Sequence, residues 1–250
     1  MNMSYALTGK VAVVVGGSGG IGQETCRLLA EAGARVAVGY RSAKEKAQAL
    51  VAALPGNGHA ALPVSIEDTP SIEAFRDAVL SRLGKADILV NTAGVTQPVP
   101  HADLDALTDD LIDQIFVNNW RGVFSTVRAF APALKASGDG LIVNVSSIAA
   151  FTGIGSNIAY CGAKAGLDIM SNSLARALAP QIRVMAISPG MVDTDFVPGR
   201  GQDFKDKAAA ATPLKRLTTT TDVAEAILAC ATHLKFSTGT RIVVDGGRHL

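Results

Sequence analysis

Neither sign of charge is in excess: 23 basic residues stand against 22 acidic ones, a net of +1. That balance excludes a general pull toward nucleic acid or an anionic membrane surface. Long apolar runs are lacking as well. None approaches the roughly 20 residues needed to cross a bilayer, and residues 1–6 lack the charged-then-apolar pattern of a secretion signal. Cysteine is scarce. Cys26, Cys161 and Cys230 form no C-x-x-C pair, so neither a zinc site nor a redox pair is expected, and an odd number of thiols suits a reducing compartment. The four histidines, His59, His101, His233 and His249, show no metal-ligand spacing. The expectation is a cytoplasmic chain whose chemistry uses no metal.

What is present is a long, well-apolar chain: 250 residues, 48% hydrophobic and 18% charged. This suits one globular domain over residues 1–250 with a sizeable core. Short β-branched runs alternate with helical patterns. Strands are expected at Lys10–Val15, Arg35–Val38, Ala60–Val64, Asp87–Asn91, Leu141–Ser146, Ile182–Ser188 and Thr240–Asp245. Helices are expected at Ile21–Ala32, Ser42–Ala53, Ser71–Leu83, as one long region over Asp105–Leu134, at Ala159–Leu178, and at Asp222–Leu234 with Asp222 as its N-cap. Continuous apolar strands alternating with helices predict an α/β fold: a doubly wound, seven-stranded parallel sheet of the Rossmann type, with helices on both faces. No repeat of 20–50 residues interrupts the pattern. Residues 195–213, with Pro198, Gly199 and Gly201, read as an irregular loop and a candidate substrate lid.

The first strand runs into Gly16-Gly17-Ser18-Gly19-Gly20-Ile21-Gly22. Gly17, Gly19 and Gly22 satisfy G-x-G-x-x-G, while Gly16, Gly20 and Gly22 satisfy G-x-x-x-G-x-G. Missing Cβ atoms let such a turn approach a pyrophosphate, and the helix behind it offers free N–H groups. Strand, glycine turn and helix in that order predict a dinucleotide site. The end of the second strand selects the dinucleotide. An acid there would hold a ribose 2′-hydroxyl, but the chain has Tyr40-Arg41-Ser42. Arg41 and Ser42 suit a 2′-phosphate, so NADP(H) is expected ahead of NAD(H).

Tyr160 and Lys164 lie four residues apart in a helical pattern and share one face. A free phenol, with a pKa near 10, is too weak an acid for easy proton transfer at neutral pH. A neighbouring ammonium favours the phenolate and makes tyrosine a working general acid or base. Ser147 closes the fifth strand, where sheets of this kind place their ligands, and its hydroxyl suits a carbonyl oxygen.

These residues together resemble the short-chain dehydrogenase/reductase family, in its compact form, over nearly the whole chain. The family's Y-x-x-x-K stands as Tyr160-Cys161-Gly162-Ala163-Lys164, and its active serine falls on Ser147. Its N-N-A-G stands as Asn91-Thr92-Ala93-Gly94. Its active-site asparagine falls on Asn119 in Asn119-Trp120-Arg121-Gly122, and its P-G-x-x-x-T stands as Pro189-Gly190-Met191-Val192-Asp193-Thr194. The resemblance implies hydride transfer between a nicotinamide and a carbonyl or alcohol, with Tyr160 as the proton donor or acceptor. Lys164 would hold the nicotinamide ribose, and Ser147 would orient the substrate. Asn119 would interrupt its helix and hold a relay water. Gly16, Ser18, Gly20, Ile21 and Gly22 would form the pyrophosphate turn. Asn91, Ala93 and Gly94 would face the adenosine side, Thr194 and the Val192 backbone would hold the carboxamide, and Pro189 and Gly190 would also contact the cofactor. A homotetramer or homodimer is also implied.

The chain departs from the family at three places. Val15 replaces the threonine before the turn, so a pinning hydrogen bond is lost or replaced. Pro63 stands where an aspartate often meets adenine, which leaves that contact to the Val64 backbone. Gly19 replaces a basic residue common in NADP-preferring members. Cys161 reads as a packing residue, since buried cysteines behave as small hydrophobes. The pocket walls are expected from Val95–Pro100, Ala149–Ile154 and residues 195–213. Their small and apolar character disfavours a strongly anionic substrate. A non-catalytic dinucleotide sensor and an epimerase or dehydratase with a tightly held cofactor stay open as other uses of the same fold.

Overall fold

A computed structural model describes residues 6–250 apart from 195, 198 and 200. Residues 1–5 of the N-terminal reading, and Asp195, Pro198 and Arg200 of the candidate lid, therefore lie outside the described residues. The strands are β1 (Val11–Val15), β2 (Arg35–Tyr40), β3 (Ala60–Pro63), β4 (Ile88–Asn91), β5 (Gly140–Val145), β6 (Ile182–Pro189) and β7 (Thr240–Val244). All pair in parallel, in the order β3-β2-β1-β4-β5-β6-β7. This is the expected seven-stranded, doubly wound sheet.

The valine-rich β1 shows why the sheet is covered on both sides. Ala12 and Val14 enter one core cluster, with Leu29 and Ile227. Val11, Val13 and Val15 enter the other, with Phe75 and Phe130. The side-chain period of two thus feeds both faces, and a continuous apolar run satisfies both. The strand order reverses between β1 and β4, which pair Val15 with Asn91. Helices on opposite faces diverge there and leave a crevice beyond the carboxyl ends of the strands.

The helices are α1 (Gly20–Glu31), α2 (Lys44–Ala53), α3 (Thr69–Leu83), α4 (Asp109–Phe116), α5 (Gly122–Ala136), α6 (Ala149–Thr152), α7 (Ile158–Leu178), α8 (Gln202–Ala211) and α9 (Thr220–Thr232). Three expectations need correction. The region over Asp105–Leu134 is two helices joined by a π turn, Val117–Arg121. The Asn119 side chain, whose Nδ2 donates to the Ile115 carbonyl at 2.9 Å, takes up a main-chain acceptor at the break. Asp222 is not the N-cap of α9. Thr219 is, and Asp222 sits three residues on, reciprocating through the Thr219 N–H at 2.8 Å in a capping box. The segment 195–213 is not all loop, since it carries α8. Polar residues and glycines flank that helix, and only Ala208 is buried, so its apolar periodicity is too weak to read. Among the described residues no helix is long and apolar enough to cross a membrane.

Candidate active site

The crevice is a cavity of about 1460 Å³. One end is built by the turn after β1. Gly16 has φ +85, and a Cβ there would sit 2.7 Å from the Ala93 nitrogen. A Cβ on Gly22 would lie 2.2 Å from the Gly16 oxygen. Only glycine allows this closeness. The turn is tied by Gly17 N–H to Gly39 O at 2.8 Å and Gly19 N–H to Gly16 O at 3.0 Å. Thr92 Oγ1 donates to Val15 O at 2.9 Å beside it. That bond holds the Val15 carbonyl at the start of the turn. No side chain caps α1, because Gly19 occupies the N-cap. Its first-turn N–H groups are left for a ligand. Gly16, Ser18, Gly20, Ile21 and Gly22 all line the cavity.

Further along the rim, Tyr40, Arg41, Ser42 and Val64 line the same cavity, joined by Lys46. Arg41 is exposed, and its Nη1 meets Glu67 Oε1 at 3.0 Å. The Val64 N–H is committed to Tyr40 O at 2.8 Å, so adenine would meet its carbonyl and side chain. Ala93, Gly94, Pro189, Gly190, Val192 and Thr194 also face the cavity.

The Asn91 side chain is turned away from the cavity. It is buried in the sheet. Its Nδ2 donates to Asn144 Oδ1 at 2.9 Å, and its Oδ1 accepts from Thr126 Oγ1 at 2.8 Å. Asn144 Nδ2 continues to Ser171 Oγ at 2.9 Å. This chain of bonds ties β4, β5, α5 and α7 together beneath the site. A buried amide satisfied on both ends is a structural element.

The other end holds the reacting groups. Asn157 starts α7, its Oδ1 accepting the Tyr160 N–H at 2.7 Å and its Nδ2 donating to Gln97 O at 2.8 Å. The motif does not mark Asn157, although an asparagine three residues ahead of Tyr160 is an N-cap signal. One helical turn on, Lys164 Nζ lies 5.7 Å from the centre of the Tyr160 ring and donates to Val145 O at 2.9 Å. Lys164 is only 4% exposed. Burial lowers its pKa to about 8, with the Asp168 carboxylate pulling the other way. Ser147 lines the cavity from the end of β5, its Oγ accepting the Ala149 N–H at 3.1 Å. Ser146, beside it, is buried and its Oγ donates to the Lys164 carbonyl at 3.3 Å. Ser147 is therefore the hydroxyl that faces the opening.

Asn119 completes the group from below. Its Nδ2 donates to Val95 O at 2.8 Å and to Ile115 O, while its Oδ1 is fully buried with no partner among the described residues. A Cβ on Gly94 would fall 2.6 Å from that oxygen and 3.9 Å from Lys164 Nζ. An orphan acceptor next to a buried amine suits a bridging water. With the glycine cradle and the uncapped α1, these residues fit a nicotinamide dinucleotide lying along the cavity. Cys161 is partly buried, and burial raises its thiol pKa, which makes it a poor nucleophile.

The walls also depart from expectation. Val95, Ala149, Phe151, Thr152 and Ile154 line the cavity, as do Phe196, Val197, Phe204 and Ala211, but residues 96–100 do not. Arg248 and His249 line it too. The expected scarcity of charge is thus corrected: the C-terminal segment folds back onto the opening, a contact no local pattern signals.

Comparison with known proteins agrees with this geometry. The family model described as Enoyl-(Acyl carrier protein) reductase matches residues 15–249. The chain is 37% identical over 250 residues to cis-4-hydroxycyclohexanecarboxylate dehydrogenase of Sinomonas cyclohexanicum, covering 98% of each. It is 32% identical over 245 residues to 3-oxoacyl-(acyl-carrier-protein) reductase of Staphylococcus aureus, covering 96% of this chain and 98% of that one. Among solved structures, 3-ketoacyl-(acyl-carrier-protein) reductase from Brucella melitensis complexed with NADH superposes with a TM-score of 0.88 at 31% identity, over 98% of this chain and 100% of that one. The chain belongs to the short-chain dehydrogenase/reductase family, the NAD(P)-dependent oxidoreductases that its sheet, glycine turn and Tyr160–Lys164 pair point to.

Proposed function

We propose that this protein is an NADP(H)-dependent carbonyl reductase, interconverting a ketone and a secondary alcohol with Tyr160 as general acid and base. The observation that carries the reading is that one cavity is lined by the glycine turn, Ser147, Tyr160 and Lys164. The nicotinamide, when bound, supplies or accepts the hydride. Ser147 Oγ donates a hydrogen bond to the substrate oxygen and keeps it there as charge develops. The Tyr160 hydroxyl gives its proton to that oxygen in reduction and takes it back in oxidation. The Lys164 ammonium holds the phenolate down in energy and meets the nicotinamide ribose. Asn119 Oδ1 accepts from the water that returns a proton toward Lys164.

The phosphate preference rests on the rim. Arg41, Ser42 and Lys46 face the cavity, and two cations and a hydroxyl suit a 2′-phosphate, with Arg41 released from Glu67 to meet it. The substrates named for the relatives, cis-4-hydroxycyclohexanecarboxylate and a 3-oxoacyl-(acyl-carrier-protein), are both of the alcohol–ketone class. Tyr160→Phe tests the reading. With NADPH and a panel of ketones, turnover is expected to fall about 100-fold or more while NADPH affinity stays within a few-fold. Undiminished turnover would remove Tyr160 from the proton step.

A further inference from the structure

We propose that Arg248 binds a carboxylate of the substrate, so that the substrates of this enzyme are oxo and hydroxy acids whose anionic group lies away from the reacting carbon. This rests on the reading of the cavity as a carbonyl-reducing site and names its substrate class.

Arg248 is held in place by a turn folded around Asp245. The buried Asp245 carboxylate accepts the Gly247 N–H at 2.9 Å and the His249 N–H at 2.8 Å. The Arg248 N–H reaches Asp245 O at 3.2 Å. Its guanidinium is half-buried, and Nη1 donates to Ala208 O at 2.8 Å and Thr212 Oγ1 at 3.4 Å. Both acceptors are neutral. Among the described residues no carboxylate pairs with Arg248. Asp245 is taken by His249 Nδ1 at 2.8 Å, and Asp193, which also lines the cavity, is taken by Lys205 at 2.6 Å.

A guanidinium carries five donors in a planar fork. Part of this fork is committed to α8 and its C-cap Thr212, and the residue faces a cavity that removes some of its water. A desolvated cation without a counter-ion is costly, and a carboxylate accepting two parallel N–H bonds resolves it. One such cation, with its cationic neighbours paired, matches a single negative charge. Two apolar side chains, Phe151 and Ile154, line the same cavity as this cation and the reacting groups, with the Arg241 guanidinium over the Phe151 ring at 4.1 Å. Phe151 stands four residues after Ser147, and its ring meets His249 edge-on at 5.6 Å. Ile154 lines the cavity beside it and is exposed. A substrate with a ketone at Ser147 and Tyr160, a hydrocarbon stretch over Phe151 and a carboxylate at Arg248 satisfies all three surfaces.

The test uses methyl ketones bearing a terminal carboxylate, in a ladder of chain lengths, each beside its methyl ester, with NADPH as reductant. Wild type is expected to prefer the acid over the ester by at least about 10-fold in kcat/KM at one chain length. Arg248→Gln is expected to lose about 10- to 100-fold on that acid, through KM, and to leave the ester within about 3-fold. Arg248→Lys, which keeps the charge and loses the fork, is expected to fall between. Equal turnover of acids and esters by wild type would overturn the proposal and leave carbonyl reduction standing. A parallel loss on acid and ester in both variants would also overturn it, because Arg248 would then only clamp α8. Failure of every acid and ester in wild type, with NADPH still bound, would overturn the carbonyl reading and this proposal with it.

Discussion

Replacing Lys164 with Met should make the nucleotide-free protein more stable at neutral pH while it destroys activity. Lys164 is 4% exposed, and burial lowers its pKa from 10.5 to about 8. At pH 7 the folded chain thus holds an ammonium that its surroundings disfavour. The gap between those two values corresponds to about 3 kcal/mol, at about 1.36 kcal/mol per tenfold change. Methionine removes that penalty but also takes the Nζ donor from the buried Val145 carbonyl, at a cost of at least about 1 kcal/mol. A net gain of at most about 2 kcal/mol remains. The pH dependence carries the sign. Below about pH 8 both folded and unfolded chains hold the proton, and the penalty is whole. Between about 8 and 10.5 the unfolded chain binds more protons than the folded one, so wild-type stability rises with pH. Above 10.5 both are neutral and the penalty is gone. Urea unfolding of both proteins without nucleotide, at pH 7 and near pH 10, reads this directly, since other titrating groups are common to the two. The expected advantage of Lys164→Met at pH 7 should vanish or reverse near pH 10. A variant less stable at pH 7, or a difference that does not move with pH, would show that burial does not strain this lysine.

Three further changes test how the rim and the floor of the cavity divide their roles. Glu67→Gln should free Arg41 from the 3.0 Å pair and tighten NADPH binding about 2- to 5-fold, the range of an exposed ion pair, with NADH unmoved in calorimetric titration. Arg41→Gln should erase the preference, and tighter NADH than NADPH in wild type would refute the role given to this rim. Asn91→Ala should strand Asn144 Oδ1 at about 1–3 kcal/mol, while Thr126 Oγ1 keeps its bond to the Val123 carbonyl. The melting temperature should fall by several degrees, about 2–4 °C per kcal/mol for a chain of this size, with NADPH affinity of the folded protein unchanged. A selective loss of nucleotide binding would return Asn91 to the site.

Local chemistry made much of this molecule legible. The apolar run at Val11–Val15 could only be a strand buried on both faces, and the glycines that follow could only be a close turn, because a side chain at Gly22 would collide with backbone. Tyr160 and Lys164 share a face because the helix repeats every 3.6 residues. Boundaries were less legible. The π turn at Asn119 depends on a side chain taking a main-chain acceptor, which no apolar period reveals, and α8 has too little buried surface to leave a pattern.

What the order of residues determined by itself was the alternation of buried strands with helices, the phosphate turn and the Tyr–Lys pair, since each follows from patterns within a few residues. What only the tertiary structure decided was which polar groups reach the opening. Asn91 is turned into a buried bond chain by partners on β5 and α5. Arg41 is engaged by Glu67 from beyond β3, and Arg248 arrives from the far end of the chain. Such placements depend on contacts between segments distant in sequence, and packing settles those only once the whole sheet is assembled.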